Sequence, residues 1–161
     1  MVKRLLTMGL LSGLLVLGAC QKHLDKETPS PEKQVQHLML EMIGDMRTGQ
    51  PQLERYGFPF WLDGRWLAKS TELEALFAES HGQPIPEVKE LQVKLYPLTH
   101  LDTIRPLAWQ RLQEQADPAF LARTQLAWVH LQTPEKTQAE ESWLLVQQVD
   151  GHWVLVGLIE D

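Results

Sequence analysis

Cysteine is almost absent: this chain of 161 residues holds one, Cys20. A disulfide framework within the chain is excluded, and a lone thiol calls for a purpose other than pairing. Clustered positive charge is missing too. Fifteen Lys and Arg stand against 21 Asp and Glu, for a formal charge of −6. An acidic chain without a basic run excludes nucleic acid and anionic lipid headgroups as main partners. No Cys/His cluster has zinc-ligand spacing. There is no phosphate-binding glycine loop, no nucleophile elbow, no internal repeat and no low-complexity tract. No metal and no cofactor is expected. The one long apolar run, Leu5–Ala19, falls short of the about twenty residues that a membrane-spanning helix needs.

That run follows Lys3-Arg4 and gives way at once to polar Gln21-Lys22-His23. Two positive charges, a short apolar stretch and a small-residue end make a secretory signal. The end, Leu17-Gly18-Ala19-Cys20, resembles the lipobox of bacterial lipoproteins. The resemblance implies diacylglyceryl transfer to the Cys20 thiol, cleavage before Cys20 and acylation of the new amino terminus. One acyl chain holds a protein to a membrane only marginally, and two or more hold it firmly. In lipoprotein sorting of the enterobacterial type, Asp after the cysteine retains the protein in the inner membrane. Gln21 therefore implies a lipid-anchored protein of the cell envelope, in the outer membrane and facing the periplasm.

Three segments follow: a signal peptide over 1–19, the lipidated cysteine with a polar tether over 20–30, and a single α+β domain over 31–161. The 161 residues less the 19 of the signal leave 142, enough for a real core. Loss of Lys3 and Arg4 takes the formal charge from −6 to −8. Ten extended tether residues reach at most about 35 Å, which keeps the domain near its membrane.

A helix is predicted over Pro31–Thr48. Ser30 suits its N-cap, Pro31 its first position and Gly49 its end. Val35, Leu38, Met39, Met42, Ile43 and Met46 form one apolar stripe. Pro51–Tyr56 suggests a short second helix. Asp63-Gly64 is a hairpin turn between apolar flanks. A helix follows over 72–79, with Thr71 and Glu74 as its capping box and His81-Gly82 as its stop. Leu91, Val93 and Leu95 alternate with polar residues, which makes a strand with one wet face. Another helix is predicted over 103–115, capped by Asp102, with Pro106 near its start.

Strands are predicted over 119–133, 138–149 and 152–159. Asp150-Gly151 is a type I′ turn signal, and it sets the pairing inward from Val149 opposite His152. Gln148 then faces Trp153, Gln147 Val154, Val146 Leu155, Leu145 Val156 and Trp143 Leu158. One face of this hairpin carries Trp143, Leu145, Val149, Val154, Val156 and Leu158. The other carries Leu144, Val146, Trp153, Leu155 and Ile159. Both faces are apolar, so both must be covered.

The segment Phe60-Trp61-Leu62-Asp63-Gly64 before the Thr71-Glu72-Leu73 helix, and the close Trp143-Leu144-Leu145-Val146 … Asp150-Gly151-His152-Trp153-Val154, resemble the nuclear-transport-factor-2-like, or SnoaL-like, family. The resemblance implies a cystatin-like cone in which N-terminal helices pack on a curved antiparallel sheet around a conical cavity. The 103–115 helix departs from the simplest family pattern and would sit at the mouth or edge of the sheet. Enzymes of the family place an acid–base carboxylate or an Asp/His pair in the cavity. Here Asp63 reads as a turn residue and Asp102 as a helix cap. His100 reads as a solvated loop residue. The candidate pocket lining is Tyr56, Trp61, Trp66, Trp128 and His130. His130 shares a strand face with Leu126 and Trp128, and is an acid, base or ligand contact, a hydrogen-bonded core histidine or a surface histidine at the strand end.

No carboxylate is placed beside His130, so no catalytic residue is assigned. The expected function is a non-catalytic binding or assembly module held at the envelope by its lipid. Its partners would be a small apolar ligand, a second copy or an envelope protein on the apolar sheet face. The alternative is a small-molecule enzyme of the isomerase, cyclase or dehydratase kind, working in the cone cavity.

Overall fold

A computed structural model describes residues 28–80, 85, 87–136 and 138–159. The signal, Cys20, the tether up to residue 27 and the His81-Gly82 stop lie outside the described residues. Helix α1 spans Pro31–Thr48, with Ser30 accepting from the Lys33 N–H at its start. Gly49 ends it in the left-handed region, φ 67°, where a residue without Cβ sits at no steric cost. Val35, Leu38, Met39 and Met42 are buried, whereas Met46 is exposed. At that end of the helix the inward position is Asp45, which is buried.

Six strands form one sheet: β1 (Tyr56–Leu62), β2 (Arg65–Leu67), β3 (Glu90–Pro97), β4 (Thr124–Gln132), β5 (Glu140–Val149) and β6 (His152–Ile159). Their order is β2-β1-β6-β5-β4-β3. β1 runs parallel to β6, and every other neighbouring pair is antiparallel. Both hairpin turns are as expected. Asp63-Gly64 and Asp150-Gly151 carry positive φ at both central residues, the twist that matches paired strands. The fold is α+β, with helices on both faces of a curved sheet.

Val149 pairs with His152, and the register runs as expected to Val146 opposite Leu155. It then slips. Leu145 pairs with Gly157 and Trp143 with Ile159, across a bulge. The expected faces of Leu158 and Ile159 are therefore exchanged: Leu158 joins the α1 side and Ile159 the other. The cause is Gly157. A glycine inside a strand commonly marks a bulge or a close backbone approach, and here Trp61 of β1 occupies the space of its missing side chain.

Other expectations shift as well. Helix α2 spans Ser70–Ser80, and Glu72 rather than Glu74 reaches back, to the Lys69 N–H at 3.0 Å. The short helix after Pro51 is a single 3-10 turn, Leu53–Arg55. The expected 103–115 helix is two: α3 (Leu101–Ile104) and α4 (Pro106–Gln115). Pro106 takes the first helical position of α4, where its missing N–H costs nothing, and Asp102 lies inside α3 rather than capping the long helix. Residues 118–123 are not strand but helix α5 (Pro118–Arg123), capped by Asp117.

Helices α3 to α5 do not sit at the mouth or edge of the sheet. They lie across the face opposite α1, where Leu101, Leu112 and Phe120 pack with Trp61, Leu126, Leu145, Val154, Val156 and Ile159. On the α1 face, Val35, Leu38, Met39 and Met42 pack with Tyr56, Phe60, Leu91, Val129, Val146 and Leu155. Two separate apolar layers thus enclose the middle of the sheet, which is why both faces of the β5–β6 hairpin are apolar.

Candidate functional site

The five candidate pocket residues do not meet in one cavity. Tyr56 faces α1 and is buried among Phe60 and Phe77, ring to ring at 6.3 Å and 5.8 Å. Trp61 faces the other way, although both stand on β1. It meets the Trp66 ring at 5.0 Å, and Trp66 in turn meets Phe120 edge-on at 5.0 Å. Trp128 and His130 share the same sheet face as Trp61, but on β4, with two strands between.

His130 therefore looks away from the α1 side. Its Nδ1 lies 3.8 Å from an oxygen of Glu141 and has no hydrogen-bond partner. Its ring tilts against Trp128 at 5.4 Å, and the Lys94 ammonium sits 5.2 Å above that indole. His100 is not a solvated loop residue. It closes the 3-10 turn Leu98–His100 and stacks on Tyr96 at 4.7 Å with planes 13° apart.

The polar cluster on the α1 side is one the sequence pattern does not announce. Arg55 pairs with the buried carboxylate of Asp45 and reaches Glu41 at 3.4 Å. The other Asp45 oxygen accepts from the Gln52 N–H at 3.1 Å. Burial alone would lower the basicity of Arg55; its hydrogen bond to Asp45 and the nearby carboxylates outweigh that and raise it. Burial also raises the Tyr56 hydroxyl well above its ordinary value, and the Asp45 charge adds to this. The hydroxyl lies near enough to feel the carboxylate, yet outside the geometry of a formed bond. The charged groups Arg55, Asp45 and Glu41 engage one another, so the cluster staples α1 to the start of β1.

Two pockets flank the tip of the β5–β6 hairpin. One is a groove of about 740 Å³ between α1 and the hairpin turn. Lys33, His37 and Arg55 line it beside Glu41, Glu54 and Asp150, so neither sign of charge prevails. The other, of about 570 Å³, lies on the opposite face between the sheet and helices α4 and α5. It exists because β1 leaves β6 between Tyr56 and Trp61. Gly57, Phe58 and Pro59 form one wall, and Trp66, Phe120, Val154 and Val156 form the apolar floor. Arg123, Asp117 and Gln147 supply its polar atoms.

Gln147 is the buried polar group of that pocket, 6 % exposed. Its amide nitrogen donates to Thr124 Oγ1 at 2.8 Å and to the Phe120 carbonyl at 3.4 Å, while Thr124 Oγ1 donates to the same carbonyl at 2.6 Å. The carbonyl can only accept, so the Gln147 amide must present its NH2 there. Its Oε1 is left without a donor among the described residues. Of the expected residues only Trp66 lines this pocket. The others come from residues 115–123, from Gln147 and Val149 of β5 and from the broken β1–β6 pairing, a convergence that no local sequence signal marks. Among the described residues, no group of three His, Cys, Asp or Glu is placed to hold a metal ion, and no helix is long and apolar enough to cross a membrane.

Among solved structures, the chain is similar to one described as a "Putative calcium/calmodulin dependent protein kinase II association domain" from Xanthomonas campestris. The identity is 12%, with 79% of this chain and 84% of that chain covered and a TM-score of 0.43. No protein-family model matches this chain. No curated protein matches it.

Proposed function

We propose that this chain is a lipid-anchored lipoprotein of the cell envelope, cut before Cys20, whose domain works as a non-catalytic binding or assembly module. The anchor half is supported by Leu17-Gly18-Ala19-Cys20 closing a signal-like run in a chain with no second cysteine. Gln21 supports the outer membrane, with the domain in the periplasm. The binding half is carried by one observation. The space between α1 and the sheet is occupied by buried apolar side chains, while a pocket of about 570 Å³ opens on the opposite face.

Catalysis in the cone would need polar groups converging there. Asp45 and Arg55 are instead paired with each other, and His130 lies on the far face. The sheet face expected to meet a second copy or an envelope protein is covered by α3 to α5 over Trp61, Leu145 and Val156. A protein partner is left the strip beyond those helices, at Lys94, Trp128 and His130, where the two rings are half-buried.

Mass spectrometry of the native protein tests the anchor. Acylated Cys20 as the first residue is expected, with the uncleaved form accumulating under globomycin and Cys20→Ser abolishing lipid labelling. An unmodified thiol at Cys20 would sink the anchor and the periplasmic location with it.

A further inference from the structure

We infer that the pocket beside α5 binds a single-chain amphipathic anion, a medium-chain alkanoate held by its carboxylate on Arg123. This rests on the domain being a binding module and not on the lipid anchor. A volume of about 570 Å³ lies within the roughly 300–1,000 Å³ typical of small-molecule sites. Phe120, Val154, Val156 and Trp66 give the pocket apolar lining, which suits a hydrocarbon chain because burying methylenes there is favourable.

Asp117 and Arg123 both line the pocket, so the head group is chosen by which of the two has hydrogen-bonding atoms left to offer. Asp117 is committed to the helix: its Oδ1 accepts from the Ala119 N–H at 2.6 Å. Arg123 is engaged only through Nε, which donates to the Ala119 carbonyl at 3.0 Å. Its two terminal nitrogens meet no carboxylate among the described residues, and they form the fork that matches a carboxylate. The Gln147 amide also lines the pocket: its nitrogen is held by Thr124 and the Phe120 carbonyl, while its Oε1 meets no donor among the described residues and is not one of the buried atoms left without a partner, so water can reach it. A hydroxyl on the ligand chain would satisfy it, and a bare hydrocarbon would leave it unpaired.

Photolabelling of the full chain with diazirine-bearing octanoate, followed by mass spectrometric mapping, reads the site directly. Label is expected on the peptides carrying Phe58, Trp66 and Phe120. Unlabelled octanoate should displace it, and hydroxyoctanoate should do so at lower concentration. Arg123→Met should cut labelling about tenfold, as for the loss of about 1.4 kcal/mol, and Arg123→Lys, which keeps the charge but not the fork, should fall between Arg123→Met and the native chain. The matching diazirine octanol should label both forms alike. Arg123 is exposed, and equal thermal midpoints of the variants show that the fold is intact. Label spread over the surface, or unchanged by Arg123→Met, overturns the proposal. Displacement by dihexanoyl phosphatidylglycerol at or below the octanoate concentration overturns the free acid as the ligand. Equal competition by octanoate and hydroxyoctanoate removes Gln147 from the site. An unmodified Cys20 in the anchor experiment leaves this result standing, so the two readings fail separately.

Discussion

Gly157 of β6 lies so close to Trp61 of β1 that a methyl group on it would fall 2.8 Å from both the Cβ and the carbonyl oxygen of Trp61. This contact is where β1 rejoins β6 after the gap that opens the pocket, and it lets Trp61 bury to 1 % exposure. One residue thus sets the strand bulge, the seating of the most deeply buried tryptophan of the second layer, and one end of the pocket wall.

Gly157→Ala is expected to destabilise the fold by about 1–3 kcal/mol, because one of the atoms it meets is backbone and cannot rotate away. Gly44→Ala is the matched control. It lies within α1 with nothing inside 4 Å of the added carbon, and is expected to stabilise by about 0.5–1 kcal/mol. Urea unfolding midpoints of the two variants should move in opposite directions.

Arg55→Met removes the partner of a carboxylate that is 6 % exposed. Leaving such a charge unpaired costs about 3 kcal/mol, the low end for buried pairs, since the Arg55 side chain is itself 22 % exposed. Adding Asp45→Asn should cost less than the two single changes summed, and chemical unfolding of all three variants measures the coupling.

Tyr56 is held protonated by burial, with its hydroxyl raised above the ordinary value. The folded state therefore keeps a proton that the unfolded chain releases above about pH 10. Its contribution to stability is full below that pH and is lost as pH climbs from there towards the folded value. Tyr56→Phe removes the ionising group. The stability of the native chain relative to this variant should be flat up to about pH 9 and fall beyond it. Urea midpoints taken in steps up to pH 11 read this difference, and a constant gap would contradict it.

Leu101 is fully buried beneath the helices that cover the second sheet face. Leu101→Lys should lift that cover and expose Trp61, Leu145 and Val156. Sedimentation velocity should then show more self-association than the native chain under the same conditions, because an apolar face of this kind does not stay in water. A monodisperse variant with the native sedimentation coefficient would show that the helices are not needed as a cover.

Much of this was legible because it is local. The Ser30 cap and Gly49 stop, the Asp63-Gly64 and Asp150-Gly151 turns, and the pairing from Val149 to Val146 each depend on a few adjacent residues and their backbone preferences. Period-two alternation correctly separated the two faces of the β5–β6 hairpin up to Val156. It failed at Leu158 and Ile159, since an alternating pattern has no way to register a bulge. The candidate pocket residues were separated by alternation itself: Tyr56 and Trp61 lie five positions apart on one strand and so face opposite sides, which the expected short helix over Pro51–Tyr56 had hidden.

By itself the sequence determined the acidic, disulfide-free character of the chain, the α1 helix, the turns and the apolarity of both hairpin faces. These follow from composition and from interactions among near neighbours. Tertiary structure alone decided what covers each face, how Arg55 finds Asp45 ten positions earlier, and that residues near 57, 123 and 147 surround one pocket. Contacts between distant segments arise from the packing of the whole sheet, and no short stretch of sequence encodes them.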